Sequence, residues 1–321
     1  MIQRLIERLG RETVPINAAL DRAMESLPSP VRPVARHILE AGGKRLRPFL
    51  TVLSARALDY RDEDIYVLGV SLEMLHAATL LHDDVLDNAS LRRGRATAHT
   101  LMDVPTVILA GDALLAEANA LVASFGDPRL TACFSEATSR TAAGEIQEMA
   151  ARGRTDLARE AYDEIVRGKT AWLLRASCEM GGLRAGGDGD ALDALALYGE
   201  NLGMAFQYVD DALDLAPEDV TGKPTGGDLR EGKLTHPLRL FRESLDDGRR
   251  KEFDRMFSGG GSSEEVLDMA AGIRDAGFDR MVRQEADAYL EKARRAVLRL
   301  PDGPDRDMLL LVTDHVRNRR N

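Results

Sequence analysis

Residues 67–87 read VLGVSLEMLHAATLLHDDVLD, and the spacing within that stretch decides the fold. Leu68, Leu72, Leu75 and Thr79 recur at helical intervals, so the segment is expected to be a helix with an apolar face. It closes on Asp83-Asp84-x-x-Asp87, and residues 197–215, LYGENLGMAFQYVDDALDL, close on the same triplet, Asp210-Asp211-x-x-Asp214. Positions i and i+4 share one helix face, so Asp83 with Asp87, and Asp210 with Asp214, each aim two carboxylates at one spot. Acidic groups at the C-terminal end of a helix oppose its dipole. Keeping them ionised beside an apolar run costs on the order of several kcal/mol per group unless a cation compensates. Oxygen ligands in this pattern suit Mg2+, a hard ion that keeps several waters and completes its shell from substrate phosphates. A solvated acidic helix end is the plain alternative for one triplet, and two matched copies argue against it.

The same periodicity runs outward through the chain. Ile2, Leu5, Ile6 and Leu9 show it at the start, and Leu192, Leu195, Leu202 and Phe206 further on. Ala and Leu dominate and strand-type alternation is scarce, which predicts an all-α fold of about ten or more helices. Short clusters such as SLPSPVRP (26–33), GGDGD (186–190) and SGGGSS (258–263) read as inter-helix loops rather than linkers, so residues 1–321 are expected to form a single domain. The duplicated acidic motif suggests two helices facing one another across one cavity.

A net charge of −10, from 53 acidic against 43 basic residues, argues against a nucleic-acid or anionic-membrane surface. Cys133 and Cys178 are too few for a disulfide framework, and the N-terminal MIQRLIERLGRETV has no signal-peptide core, so a cytoplasmic location is expected. No uninterrupted apolar stretch reaches the ~18 residues of a membrane span.

Local basic clusters matter more than the net charge. GGKRLRP (42–48) places Lys44, Arg45 and Arg47 directly after two glycines, an arrangement that can grip an anion through forked guanidinium donors and an ammonium. Arg92 and Arg93 follow the first triplet across a glycine-terminated turn, where they could bind substrate or neutralise the aspartates. His76 lies two turns before Asp83 on the same face. Lys169, Thr170, Gln207, Lys223 and Lys233 add donors around the second triplet.

GGKRLRP, LLHDDVLDNASLRRG, GEIQE (144–148), Lys169-Thr170, FQYVDDALD and GKPTGGDLREGKLTHP occur in the order and approximate spacing of the trans-isoprenyl diphosphate synthases. The resemblance covers about residues 40–240, and HAATLLHDDVLD is most similar to the long-chain, octaprenyl-type bacterial members. It implies a homodimeric bundle of mostly antiparallel helices around a deep central cavity, acting on isopentenyl diphosphate and an allylic prenyl diphosphate, with about two to three Mg2+ ions between the acidic motifs. Carried over by position, Asp83, Asp87, Asp210 and Asp214 would hold metal, with Asp84 and Asp211 in support. Lys44, Arg47, His76 and Arg93 would hold isopentenyl diphosphate, and Arg92, Lys169, Thr170, Gln207, Lys223 and Lys233 the allylic side. His236 departs from the pattern, which commonly has Leu there. The C-terminal RNRR (317–320) reads as a frayed, solvated end, with closure over the diphosphate as the alternative.

The catalysis implied is electrostatic: the allylic C–O bond breaks, Thr170 and Gln207 face the cation as non-nucleophilic dipoles, and the isopentenyl double bond attacks. Asp83, Asp84, Asp87, Lys169, Thr170, Gln207 and Asp210 carry that chemistry in this reading. Each turn of helix before Asp83 rises ~5.4 Å, about one isoprene unit. Ala78 and Thr79, then Met74 and Leu75, therefore act as successive floors beneath the growing chain. None is aromatic, and GDALLAEANALVA (111–123) is expected to face them, which points to a deep tunnel and a long product. That lipid product is expected to pass to a membrane. A medium-chain synthase differs only in the tunnel. A terpene cyclase would lack the basic loop, and a non-catalytic subunit of a heteromeric synthase would have eroded aspartate motifs.

Overall fold

The computed structural model describes residues 2–218 and 224–319; Lys223 and Arg320 lie outside the described residues. The expectation of an all-α chain holds, and a two-residue ribbon is the only strand pairing among the described residues. Two compact units are present.

The first unit comprises the residues through Thr138, Leu173–Ala196 and Val297–Leu311. Its helices are α1 (Ile2–Ser26), α2 (Arg32–Leu39), α3 (Leu46–Ala57), α4 (Ile65–Leu86), the short α5 (Ala98–Leu101) and α6 (Val104–Ala123). The first part of α7 (Pro128–Ala151) follows. Helix α4 is apolar nearly all round, and such a helix is stable only when surrounded. It packs against α1, α2, α3 and chiefly α6. The expected facing of α4 by residues 111–123 is thus borne out, and Gly111 is the reason it can be so close. A Cβ at Gly111 would fall 2.3 Å from His82 Nε2.

The end of α4 is fixed by its own sequence. Asn88 takes a left-handed conformation (φ +49°), and the Ala89 and Asn88 amides donate to the Asp84 and Val85 carbonyls in a Schellman closure. The ribbon Leu91–Arg92/Arg95–Ala96 then turns through Arg93 and Gly94, both at positive φ, as a tight two-residue hairpin requires. Arg92 is thereby folded back toward the first acidic motif.

The second unit comprises Ser139–Trp172, Leu197–Ala296 and the residues from Val312 on. It holds the end of α7, α8 (Arg159–Val166), a π-helical turn at Arg167–Ala171 leading into α9 (Trp172–Arg184), and the end of α10 (Gly189–Asp214). Then come α11 (Gly227–Arg230), α12 (His236–Ser244), α13 (Asp247–Arg255), α14 (Ser263–Asp275), α15 (Phe278–Val297) and the end of α16 (Pro304–Arg317). Two glycines press the π turn between neighbours. A Cβ at Gly144 of α7 would sit 2.4 Å from Lys169 N, and one at Gly203 of α10 would sit 2.5 Å from Ala171 Cα. Leu215, Leu229, Leu234, Leu238, Phe253 and Phe257 form an apolar core in this unit.

Two helices, α4 and α6, are long and apolar enough to cross a membrane, although Glu73 interrupts the first and Asp112 and Glu117 the second. In α4 that apolar surface is 72% buried within the protein, whereas in α6 only 33% is. Both cysteines are free thiols, and burial pushes Cys178 up to about 12.

Candidate active site

In the first unit the basic residues converge on one buried acid. Arg45, the residue before α3, has a left-handed backbone (φ +47°) that turns its guanidinium inward onto Glu73 (3.0 Å), the Leu39 carbonyl and Asn17. Arg45 is therefore a brace, while the loop leaves Lys44 exposed beside it. Burial pulls Arg47 down to about 10, opposed by the charge of Glu73, and its Nε is buried with no hydrogen-bond partner. Arg93 is lowered too, by burial first, with Arg92 and Arg45 adding repulsion. Burial and then Arg47, Arg93 and Arg92 hold His76 neutral, well below an ordinary histidine. Desolvated cations that repel one another favour binding of an anion.

Asp84 stands at the edge of this cradle. Arg92 Nε donates to its Oδ1 (2.6 Å), so the neutralising role considered for Arg92 is realised at Asp84. Asp84 Oδ2 is buried without a partner, and burial raises its carboxyl despite Arg92.

In the second unit a cavity of ≈ 140 Å³ is lined by Lys169, Thr170, Gln207, Asp211, Asp228 and Lys233, among others. The π turn supplies the first two. Its Trp172 amide reaches the Arg167 carbonyl five residues back, and the extra residue re-aims side chains relative to a regular helix. Lys169 Nζ sits 2.8 Å from Glu145 and 2.6 Å from Glu148. Burial would lower that ammonium, but Glu148 and Glu145 outweigh it and the net shift is upward. Lys233 bridges Glu231 (2.7 Å) and Glu148 (3.5 Å).

The second acidic motif divides its work. Asp210 pairs with Arg319 (2.6 Å), whose guanidinium lies 4.4 Å from the centre of the Phe206 ring. Asp214 accepts the Gly227 (3.0 Å) and Asp228 (3.1 Å) amides, one on each oxygen, and so anchors α11. Asp211 is wholly enclosed; burial pushes it up to about 7, against the pull of hydrogen bonds from Tyr162 and Gln207. Asp228 is also raised well above the usual carboxylate range, by burial and then by Asp214 and Asp211. Carboxyls crowded this way are stabilised as anions only by added positive charge. Among the described residues no three His, Cys, Asp or Glu side chains enclose an ion by themselves. Aspartate oxygens are donors that suit Mg2+, which takes few protein ligands and fills its shell with water and phosphate oxygens.

A family model described as polyprenyl synthetase matches residues 28–273. The chain belongs to the polyprenyl synthetase family. It is accordingly a prenyltransferase, and the resemblance read from the motifs is borne out. Heptaprenyl diphosphate synthase component 2 of Geobacillus stearothermophilus is 35% identical over 94% of this chain and 93% of its own. The crystal structure of a decaprenyl diphosphate synthase from Rhodobacter capsulatus superposes with a TM-score of 0.92 at 37% identity, covering 99% of each chain. A polyprenyl synthase from Caulobacter crescentus, complexed with calcium and isoprenyl diphosphate, gives 0.93 at 33% identity over 100% of this chain and 98% of that one. Octaprenyl and geranylgeranyl synthases match as well.

The structure groups the residues singled out in the sequence into two sets and adds partners that the sequence reading missed. Lys44, Arg47, His76, Arg92 and Arg93 belong to the first unit, and Lys169, Thr170, Gln207 and Lys233 gather in the second. Asp83 and Asp87 stand half-buried at the end of α4. Glu73, Glu145, Glu148, Tyr162 and Asp228 were missed. The i,i+3 pair Glu145 and Glu148 lay within the quoted GEIQE and could have been found by asking which acids share a face. Tyr162 carried no signal. The tail differs from expectation too: Arg317 is tied to Asp287 (2.9 Å) and Glu291 (2.5 Å), and Arg319 rests on Asp210 instead of fraying.

Proposed function

We propose that this chain is a long-chain trans-prenyl diphosphate synthase acting as a single catalytic domain. It would add isopentenyl diphosphate head to tail onto an allylic prenyl diphosphate. The observation that carries this reading is the cavity in which Lys169, Thr170, Gln207 and Lys233 line one wall beside Asp211 and Asp228. Lys169 and Lys233 hold the allylic diphosphate there, released from Glu145 and Glu148 as phosphate oxygens take their place. Lys44, Arg47, His76 and Arg93 hold the isopentenyl diphosphate, whose charge answers the deficit in the cradle.

Asp83, Asp87, Asp210 and Asp214 would hold Mg2+, which supplies the charge that makes the diphosphate a leaving group. Thr170 and Gln207 present oxygen dipoles to the allylic carbon as its C–O bond breaks, and neither is nucleophilic enough to trap it. The isopentenyl π electrons form the new C–C bond, and the proton lost from the adjacent carbon passes to a diphosphate oxygen. Ala78, Met74 and Leu75 are buried on α4, where Ala110, Leu114 and Ala118 of α6 belong to the same core. Thr79 is half-buried there and donates to the His76 carbonyl. A bore lined by such small and flexible residues suits a long product.

Incubating the purified chain with farnesyl diphosphate, labelled isopentenyl diphosphate and Mg2+ is expected to give products of more than four isoprene units. Arrest at geranylgeranyl diphosphate would support the medium-chain alternative, and no product would sink the reading. Ala78→Phe is expected to shorten the product, and an unchanged carbon count would remove α4 from length control.

The exposed apolar face of α6, with Val104, Ile108 and Leu109 open to solvent, fits a second copy of the chain. Light scattering is expected to report a homodimer, and Leu109→Glu a monomer. A partner of another kind is conceivable because one relative is named as a component, yet the intact acidic motifs favour catalysis by this chain itself. Cytoplasmic residence, with the lipid product handed to a membrane, completes the proposal.

A further inference from the structure

Asp211 directs both of its oxygens inward. Tyr162 Oη donates to Oδ2, and Gln207 Nε2 donates to Oδ1 at 2.8 Å. The second bond fixes which way the Gln207 amide points, because only its NH2 end can donate to a carboxylate. The carbonyl end is left for Thr170, whose Oγ1 donates to Gln207 Oε1 at 2.8 Å. Thr170 has then used its one proton, and its oxygen presents lone pairs elsewhere. The direction of every bond in the series follows from the acid at its base.

Tyr162 is itself immobilised. Only 4% of its surface is exposed, and the His236 ring stacks on it with centroids 5.7 Å apart and planes 23° from parallel. His236 is fully buried, with Nδ1 3.1 Å from Arg239 Nη2 and Nε2 3.0 Å from Glu285 Oε2. Tyr208 closes the other side, 5.6 Å from Tyr162 and 5.2 Å from His236. A Leu at position 236 could fill volume but could neither stack on a ring nor reach Glu285.

We infer that Tyr162, backed by the ring of His236, is a positioning residue that sets the direction of the Asp211–Gln207–Thr170 hydrogen-bond series, and so aims the Thr170 and Gln207 oxygens at the reacting carbon. This rests on the prenyl-transfer reading above and assigns Asp211 to orientation of neutral dipoles. The charge it carries is internal to the series.

The test is Tyr162→Phe, which keeps the ring and removes the hydroxyl. Its kcat is expected to fall about tenfold or more, as loss of a buried hydrogen bond to a charged group allows. The KM values of both diphosphates and the half-saturating Mg2+ concentration are expected to stay within about twofold of wild type. His236→Leu should lower kcat in the same sense, and His236→Phe, which restores a flat ring, should recover most of it. A wild-type kcat in Tyr162→Phe would overturn the inference. So would a change confined to Mg2+ half-saturation, to a KM, or to thermal stability. An inactive wild-type chain would sink the prenyl-transfer reading separately. Independently of turnover, the crystal structure of Tyr162→Phe should show the Gln207 Nε2 to Asp211 Oδ1 contact lengthened well beyond 2.8 Å, and an unmoved pair would overturn the inference equally.

Discussion

On the proposed reading the cradle of the first unit and the cavity of the second each receive a diphosphate, yet they are poised in opposite ways. Around Glu73 cations outnumber acids, and burial depresses Arg47, Arg93 and His76 alike. Around Asp211 acids crowd together and are pushed up, while the lysines already have carboxylate partners in Glu145, Glu148 and Glu231. The cradle carries surplus positive charge and the cavity surplus carboxylates. On the proposed reading a bare diphosphate answers the first, and the second takes a diphosphate that arrives with metal.

The largest effect that could break this contrast is at the acids. Asp83→Ala and Asp210→Ala should each lower turnover by about three orders of magnitude, the scale of removing a group that stabilises charge in the transition state. Near-wild-type activity of either at saturating Mg2+ would remove it from the metal site. A smaller effect sharpens the contrast by substrate. Arg47→Met is expected to raise the KM for isopentenyl diphosphate by about ten- to a hundredfold and leave the allylic KM alone, with Lys233→Met doing the reverse. Steady-state kinetics with each substrate varied would check this, and a crossed pattern would reassign the two sites.

The smallest effect is in the pH dependence of stability, and its sign differs between the regions. Asp211 has a raised folded pKa, so between about 4, its unfolded value, and about 7 the folded state binds the extra proton and stability falls as pH rises. His76 has a lowered folded pKa, so its contribution is complete above about 6.5 and is lost as pH falls below that. In metal-free protein followed by thermal melting, Asp211→Asn should flatten the loss on raising pH, and His76→Gln the loss on lowering it. Mg2+ with pyrophosphate should stabilise more at pH 8 than at pH 5. Melting curves insensitive to both substitutions would show that the two regions do not differ in this way.

Much of this was legible because it is local. The helical class, the end of α4, the shared face of Asp83 and Asp87, and the basic loop all depend on residues within a turn or two of one another. The loop could be read as basic, but not that Arg45 would turn inward while Lys44 stayed exposed. Lys169 and Thr170 could be named, but not the π turn that aims them, since that turn is set where Gly144 and Gly203 let two helices close on it. The Asp-rich ends were visible, but not the separate tasks of Asp210, Asp211 and Asp214.

By itself, then, the sequence determined the helices and the chemistry they would display, because helical periodicity is a property of neighbours four residues apart. Only the tertiary structure decided who restrains those groups. Tyr162 reaches Asp211 across 49 residues of chain and Arg45 reaches Glu73 across 28. Contacts of that kind depend on how closely helices can cross, which glycines and the packing around them govern and which no pattern along one helix records.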